Sequence, residues 1–255
     1  MKLTHVIRSA ACLALTLGVG AAALAQVKVG VISSATGPTA LVGIPQKNSV
    51  PLLPKQIGNL SVEYIALDDA SDPTNSVTAV KKFIAENNVD AIIGPSGSPN
   101  AMGVIQFVAD AGVPLLAPVG TAAVVVPMDD KKKWVFKTTQ NDDIIADALL
   151  EHMAKNGVKT LGFIGTADPY GENWHKVVSG MADKLGIKLV ANERFQRSDT
   201  SVVGQGLKIV GARPDAVLVA VPGGPSVLPQ VTLFDQGYKG KVYQTHGAAL
   251  PEFLK

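Results

Sequence analysis

Serine and histidine side chains are the first places where this chain could carry out a reaction. Gly94-Pro95-Ser96-Gly97-Ser98 offers two hydroxyl nucleophiles, and His246 could serve as their general base. The segment lacks the G-x-S-x-G spacing of a hydrolase elbow, and the proline before Ser96 disfavours the sharp turn that exposes such a nucleophile. We therefore predict that the chain is not a serine hydrolase.

Carboxylates and metal ligands are the second possibility. Asp68 and Asp69 could form a carboxylate pair, but neighbours on an extended chain point to opposite faces, so we expect hydrogen-bonding loop residues instead. The histidines after residue 25 are His152, His175 and His246, which have no i, i+4 spacing and no accompanying cysteine. No phosphate-binding glycine motif follows a predicted strand. The sequence thus predicts a protein that is not an enzyme, with no catalytic residue, metal site or cofactor.

The first 25 residues have the pattern of a cleavable signal peptide. Lys2 and Arg8 form its basic start, residues 10–23 its apolar centre, and Ala23-Leu24-Ala25 its small-x-small cleavage site. A transmembrane helix is the alternative, but the apolar run is shorter than the ~20 residues that a bilayer needs. We expect a mature chain that begins at Gln26 and is periplasmic, without direct membrane insertion.

Removal of this segment changes the overall composition. The one cysteine, Cys12, would leave with it, so disulfide and thiol chemistry are not expected. Without Lys2 and Arg8 the 23 basic residues fall to 21, equal to the 21 acidic residues. A chain without net charge gives no reason to expect a nucleic acid or an anionic membrane surface as a partner. The remaining length is enough for two modest domains.

Short β-rich runs alternate with helical patterns along the rest of the chain, which favours βα units and parallel sheets. Several of these runs are continuously apolar, as strands covered on both faces should be. The strands that we predict are residues 27–32, 62–67, 89–94, 114–117, 134–137, 160–165, 188–191, 216–221 and 241–245.

Helices between these strands carry their own start signals. Two begin where a capping residue precedes a proline, at Asp72-Pro73 and at Ser98-Pro99. A third begins after Asn141, and two more cover residues 172–185 and 225–234. The alternation of strand and helix therefore continues to the end of the chain.

No low-complexity linker divides these elements into domains. The clearest interruption is the mixed-charge, proline-containing stretch at residues 126–133, which also has the composition of a solvated turn. We place the boundary there, with an N-terminal lobe of residues 26–133 and a C-terminal lobe of residues 134–255. A boundary without a change in composition is typical of lobes joined by crossing strands.

Short motifs run through the whole chain in a fixed order. They are Val29-Gly30-Val31, Thr36-Gly37-Pro38, Asp68-Asp69-Ala70-Ser71-Asp72-Pro73, Ala111-Gly112-Val113-Pro114, Asp168-Pro169-Tyr170-Gly171 and Arg213-Pro214-Asp215-Ala216-Val217. Each is weak alone, but together they resemble the leucine/isoleucine/valine-binding protein family, the class I periplasmic binding proteins. The resemblance implies an α/β fold of two lobes, with parallel sheets flanked by helices and a ligand cleft that closes like a hinge.

The same resemblance implies a role in transport. Proteins of this kind are non-enzymatic receptors that deliver a small-molecule ligand to the membrane permease of an ABC importer. We therefore expect a monomeric, periplasmic substrate-binding protein of the branched-chain amino-acid type. The alternative is a ligand-sensing module of a signalling or regulatory system, because the same fold serves that purpose as well.

The resemblance also implies a set of ligand-binding residues. Ser98 and Thr121 stand where the family uses a serine after the third strand and a threonine after the fourth. Val119 and Gly120 offer backbone groups between them, and the helix N-terminus at Ser98 suits a carboxylate. Tyr170 matches the family's tyrosine on the second lobe. The plainer alternatives are a helix cap for Ser98, a loop residue for Thr121 and a packing role for Tyr170.

The sequence departs from the family pattern at positions that, in amino-acid binders, contact the ligand's amino group or lie near it. Amino-acid binders of the family place an acidic residue where this chain has His246, and often a tyrosine where it has Pro222. A free α-ammonium buried without a carboxylate partner would be unfavourable. We therefore expect a small acid that lacks an α-amino group, such as an aromatic, keto or aliphatic acid. His246 either contacts this ligand or merely lines the cleft.

The C-terminal end of the chain is a further departure. Members of the family continue beyond the strand and loop that carry His246, whereas this sequence ends at Lys255. We expect the C-terminal lobe to be incomplete and to lack the segment that returns to the first lobe.

Overall fold

The computed structural model describes residues 26–251, and the predicted signal peptide lies outside these residues. The N-terminal lobe is built on a six-stranded sheet with the order β2-β3-β1-β4-β5-β6, in which only β2 runs antiparallel to its neighbour. Its strands are β1 (Gln26–Ser33), β2 (Gln56–Ile57), β3 (Leu60–Asp68), β4 (Ala91–Ile93), β5 (Leu115–Ala117) and β6 (Val135–Lys137).

The C-terminal lobe is built on a second, fully parallel sheet of four strands with the order β10-β9-β7-β8. All five residues of its central strand β9 are buried, as expected for a strand that is covered on both faces. The strands are β7 (Thr160–Thr166), β8 (Lys188–Phe195), β9 (Ala216–Ala220) and β10 (Lys241–Gln244).

Seven α-helices connect the strands within residues 26–251, and a short π-helical turn at Phe83–Asn87 follows the second of them. No helix in this part of the chain is long and apolar enough to cross a membrane. The helices are α1 (Ala40–Ser49), α2 (Pro73–Lys82), α3 (Ser98–Ala111), α4 (Asp142–Lys155), α5 (Pro169–Ala182), α6 (Val203–Ala212) and α7 (Val227–Asp235).

The nine predicted strands are all present, and the predicted two-lobe α/β fold with parallel sheets is confirmed. The position of the lobe boundary needs one correction. Residues 134–137 were assigned to the C-terminal lobe, but β6 pairs with β5 in the first sheet, with Leu115 opposite Val135. The first sheet therefore extends past residue 133, and the chain crosses to the second lobe between β6 and α4.

Each lobe has its own apolar core. Phe83 and Ile92 are fully buried in the N-terminal lobe, and Trp174 and Phe163 in the C-terminal lobe. Gly30 makes room for Phe83, because a Cβ atom at position 30 would lie 2.4 Å from the phenyl ring. A glycine in the middle of β1 therefore lets the helical layer pack directly on the sheet.

A buried polar network fixes the loops at the carboxyl end of the first sheet. Asp69 is fully buried and accepts hydrogen bonds from Ser76 Oγ at 2.7 Å, Asn100 Nδ2 at 2.8 Å and the Ser71 amide at 2.9 Å. Asp68 turns the other way and accepts from the amide of Ala35, in the loop after β1, at 2.9 Å. The prediction that both residues accept hydrogen bonds is confirmed, but Asp68 is the last residue of β3 and only Asp69 belongs to the loop.

Candidate functional site: a cavity between the lobes

A cavity of about 190 Å³ lies between the two lobes, at the carboxyl ends of both sheets. This is the edge where open α/β sheets bind ligands. An apolar cavity of about 150 Å³ accommodates benzene in another protein, so the space suits a molecule about the size of one substituted ring. The lining residues are Thr39, Val42, Gln46, Ser96, Gly97, Ser98, Pro118, Val119, Gly120, Thr139, Tyr170, Arg197, Pro222, His246, Gly247 and Leu250.

Ser98 lines this cavity and carries a buried hydroxyl group. It is the first residue of α3, and the capping position belongs to Gly97, so the helix-cap alternative for Ser98 is wrong. The residue is only 3% exposed, and its Oγ has no hydrogen-bond partner within residues 26–251. The unpaired N–H groups and the positive dipole end of α3 lie at the same place. A ligand oxygen with negative charge could accept a hydrogen bond from the Ser98 hydroxyl at the positive end of this helix.

Ser96 has a different role in the cavity wall. Its Oγ accepts a hydrogen bond from the Ser34 amide at 3.0 Å and donates to Gln46 Oε1. These bonds link the loop after β4 to the loop after β1 and to α1. The hydroxyl of Ser96 is thus occupied within the first lobe, which leaves Ser98 as the freer donor of the two.

Gly120 brings the first lobe into close contact with the second. A Cβ atom at this position would lie 2.8 Å from Asp142 Oδ1, 3.0 Å from Tyr170 Cε2 and 3.3 Å from His246 Cε1. Only a glycine allows this approach without displacing one of those side chains. The lobes therefore lie closed over the cavity.

Thr121 is placed differently from the other predicted site residues. It is fully buried and does not line the cavity. Its Oγ1 accepts a hydrogen bond from the Ala123 amide at 3.2 Å, which caps a short 3-10 turn at Ala122–Val124. A ligand contact by Thr121 remains a prediction, while its hydroxyl has a clear local partner.

Tyr170 is held on the opposite side of the cavity by α5. The Asp168 carboxylate caps this helix and accepts from the amides of Tyr170 at 2.8 Å and Gly171 at 3.3 Å. The Tyr170 hydroxyl is hydrogen-bonded to Thr245 Oγ1 at 2.9 Å, and burial raises the pKa of this phenol. Tyr170 is therefore neutral. It lines the cavity and is held by hydrogen bonds at its backbone amide and at its hydroxyl group.

His246 lies beside a buried carboxyl group. Its Nδ1 is 3.9 Å from Asp142 Oδ1, and neither atom has a hydrogen-bond partner within residues 26–251. Burial, and then the charge of Lys137, lower the pKa of His246, whereas burial raises the pKa of Asp142 to about 6. At neutral pH the imidazole is thus uncharged, and the contact is not an ion pair. Asp142 itself is fully buried behind Gly120 and His246 and does not line the cavity.

Arg197 is a cavity residue that the sequence did not reveal. Its Nε donates to Asp168 Oδ2 at 2.6 Å, and its Nη1 donates across the cleft to Thr39 Oγ1 at 3.3 Å. Burial alone would raise the pKa of Asp168, but the hydrogen bond and charge of Arg197 outweigh it and hold this pKa below its ordinary value. Arg197 is therefore a fixed cation that touches both lobes.

The structure brings five of the six predicted site residues together in the cavity wall, namely Ser98, Val119, Gly120, Tyr170 and His246. Arg197 was missed because β8 was predicted to end at residue 191. The strand continues to Phe195, which places Arg197 in the loop just beyond its carboxyl end.

Two α/β lobes that close over a cavity at the carboxyl ends of parallel sheets define a two-lobe binding protein. The chain matches the periplasmic binding protein family over residues 26–251 and belongs to that family. The predicted resemblance to the leucine/isoleucine/valine-binding proteins is confirmed by a Leu/Ile/Val-binding protein, BraC3, of Rhizobium johnstonii. It is 26% identical over 217 residues, which make up 81% of this chain and 58% of the relative.

Solved structures agree with this assignment. An extracellular ligand-binding receptor from Rhodopseudomonas palustris HaA2 is 46% identical with a TM-score of 0.88, and the match covers 90% of this chain and 64% of the receptor. A second R. palustris solute-binding protein, solved in complex with 4-hydroxybenzoate, shares the fold at 23% identity and a TM-score of 0.80. That match covers 89% of this chain and 65% of the other. The chain thus spans roughly three fifths of these relatives' lengths.

Proposed function

We propose that this protein is the periplasmic substrate-binding protein of an ABC importer of the branched-chain amino-acid type. In this proposal it binds a small carboxylate-bearing solute between its lobes and presents the closed complex to a membrane permease. The observation that carries the proposal is the Ser98 hydroxyl, which is buried at the N-terminus of α3 in the wall of the cavity between the lobes and has no hydrogen-bond partner within residues 26–251.

The lining of the cavity favours an acid over an amino acid. No aspartate or glutamate is among the residues of the described chain that line it, and the neighbouring Asp142 is shielded by Gly120 and His246. A ligand ammonium would have to give up its hydration without gaining a carboxylate partner, which is strongly unfavourable. A ligand carboxylate would meet the Ser98 hydroxyl and the N-terminal amides of α3. We infer a ligand without an α-amino group.

The apolar part of the lining supports the same class of ligand. Val42, Pro118, Val119, Pro222 and Leu250 are apolar residues of the lining. Such a wall suits a ring or an alkyl chain rather than a polar backbone. The structural neighbour described with 4-hydroxybenzoate makes aromatic acids sensible first probes.

Titration calorimetry tests the proposal directly. Residues 26–255 would be titrated with benzoate, 4-hydroxybenzoate, leucine and glutamate, with ligand-dependent thermal stabilisation as a second readout. We expect binding of at least one of the two aromatic acids and no measurable binding of either amino acid. Tight binding of leucine would contradict the proposed ligand class. Binding of none of the acids would contradict the proposed carboxylate site.

A further inference from the structure

The proposed function explains how one end of a ligand is held, and Arg197 points to recognition of the other end. We propose that Arg197 Nη2 hydrogen-bonds to an uncharged oxygen of the ligand, such as a hydroxyl or carbonyl group remote from the carboxylate. This inference rests on the proposed function. It narrows the ligand class to acids that carry a second, neutral oxygen.

One of the three guanidinium nitrogens of Arg197 has no hydrogen-bond partner within residues 26–251. Its Nε is bound to Asp168 and its Nη1 to Thr39, at 2.6 Å and 3.3 Å. Its Nη2 is buried and has no hydrogen-bond partner within residues 26–251. Buried donors in folded proteins are nearly always paired, and Arg197 lines the cavity, so a ligand oxygen is a natural partner for Nη2.

The surrounding charges favour a neutral oxygen there. The side chains of Arg197 and Asp168 are only 13% and 15% exposed, so the ion pair between them is little screened by solvent. Asp168 has therefore already neutralised the positive charge of Arg197. A second ligand carboxylate at Nη2 would lie close to that aspartate and be repelled by it, whereas a hydroxyl or carbonyl oxygen would accept the hydrogen bond without this repulsion.

The two recognition groups come from different lobes. Ser98 belongs to α3 of the N-terminal lobe, and Arg197 follows β8 of the C-terminal lobe. A ligand that bonds to both would link the lobes directly, in parallel with the hydrogen bond from Arg197 to Thr39. The second oxygen would thus contribute to affinity only when the lobes are closed.

Matched pairs of ligands isolate this contact. Calorimetry would compare benzoate with 3- and 4-hydroxybenzoate, and cinnamate with 4-hydroxycinnamate, on the wild-type protein. A hydrogen bond to a charged donor predicts that the hydroxyl improves affinity by about tenfold or more in at least one pair. Terephthalate, which carries a second carboxylate, should bind more weakly than 4-hydroxybenzoate.

Two variants locate the effect at Arg197. Arg197→Lys keeps a positive charge for Asp168 but loses the planar fork of donors, so the preference for the hydroxylated acid should disappear. Thr39→Val removes the bond across the cleft and leaves Arg197 in place; because Thr39 also lines the cavity, only the affinity ratio within each ligand pair is compared. It should weaken both members of a pair by the same factor and leave their ratio unchanged, as a matched control for lobe closure.

The outcomes separate this inference from the proposed function. Equal affinity for both members of every pair would overturn the role of Arg197 and leave the carboxylate site intact. A preference for the hydroxylated acid that survives Arg197→Lys would also overturn it, as would tighter binding of terephthalate. Failure of every acid to bind the wild type would overturn the proposed function and this inference with it. The comparison of ligand pairs on the wild-type protein needs no variant. It therefore tests the inference even if Arg197→Lys does not fold.

Discussion

Gly120→Ala should weaken ligand binding, because its methyl group would hold the lobes apart. The new Cβ would lie 2.8 Å from Asp142 Oδ1, 3.0 Å from Tyr170 Cε2 and 3.3 Å from His246 Cε1. All three atoms belong to the C-terminal lobe, and both Asp142 and Tyr170 are buried, so neither can swing into solvent. Overpacking of this kind costs typically about 1–3 kcal/mol. An open arrangement of the lobes avoids the contact, so the closed state alone is destabilised.

A destabilisation of about 1–3 kcal/mol in the binding-competent state raises Kd by about 5- to 150-fold. Calorimetry with benzoate-like acids on wild type and Gly120→Ala measures this factor. The methyl group faces the opposite lobe, so we expect the same factor for acetate-sized and ring-sized acids.

Gly180→Ala is the matched control for this substitution. It lies on α5 of the C-terminal lobe, and a Cβ there would have no neighbour within 4 Å. The Kd of the Gly180→Ala protein should equal that of the wild type. Its stability should rise slightly, because alanine favours a helix more than glycine does. An unchanged Kd in Gly120→Ala would refute the reasoning. A loss that grows with ligand size would show that the methyl group fills ligand space instead of separating the lobes.

Three further substitutions separate binding from stability. Ser98→Ala should raise the Kd for acids about tenfold or more by calorimetry and leave Tm nearly unchanged, because its hydroxyl has no partner in the described chain. Thr121→Val should lower the free energy of unfolding by about 1 kcal/mol in urea titrations through loss of its cap. Burial raises the pKa of Asp142 to about 6, above its unfolded value of 3.8, so its ionisation opposes folding as pH rises through this range. In thermal unfolding at pH 4 to 7.5, the stability of Asp142→Asn relative to the wild type should therefore increase with rising pH. The increase in the free energy of unfolding should be about 3 kcal/mol at most.

Each of these expectations has an outcome that contradicts it. A Ser98→Ala protein with a much lower Tm and an unchanged Kd would show a structural role for the hydroxyl. An unchanged free energy of unfolding in Thr121→Val would show that the turn at Ala122–Val124 does not depend on this cap, and a loss of ligand affinity would instead support the contact that the family resemblance implies. A parallel pH dependence of Tm in wild type and Asp142→Asn would show that the carboxyl does not titrate in the folded protein as its burial implies.

The parts of the fold that the sequence predicted are those set by local patterns. Short β-rich runs, several of them continuously apolar, located the nine strands, and proline after a capping residue located the start of α2. Helix α6 was missed because Gly204, Gly206 and Gly211 conceal its helical pattern. Gly206 packs against Gln236, and a Cβ there would lie 2.5 Å from Gln236 Oε1, so a larger residue would have to displace that side chain. That contact is between distant segments and leaves no local signal.

The functional site shows the same difference between features with a local sequence signal and features that depend on contacts between distant segments. The family resemblance pointed to Ser98 and Tyr170, and both residues lie beyond the carboxyl ends of strands, where open α/β sheets bind ligands. The burial of Asp142 was not predictable, since an acidic residue in the first turn of a helix is ordinarily solvated and merely complements the helix dipole. Its surroundings depend on Asn173, which donates to Oδ2 at 2.6 Å, and on the approach of Gly120 from the other lobe. Both partners are set by tertiary packing.

The crossing between β6 and α4 forms part of the wall of the proposed ligand cavity. Within the described residues the backbone passes between the lobes once, and Thr139 of this crossing both lines the cavity and donates to the Val119 carbonyl at 2.7 Å. Lys137 Nζ braces the same segment by donating to the carbonyls of Thr139 at 2.8 Å and Gln140 at 2.6 Å. Under the proposed function, a ligand seated against Thr139 would rest on the segment that joins the two lobes. If the lobes separate by bending at this crossing, substitutions that stiffen it should slow ligand dissociation, which stopped-flow measurements on the wild type and the variant would compare.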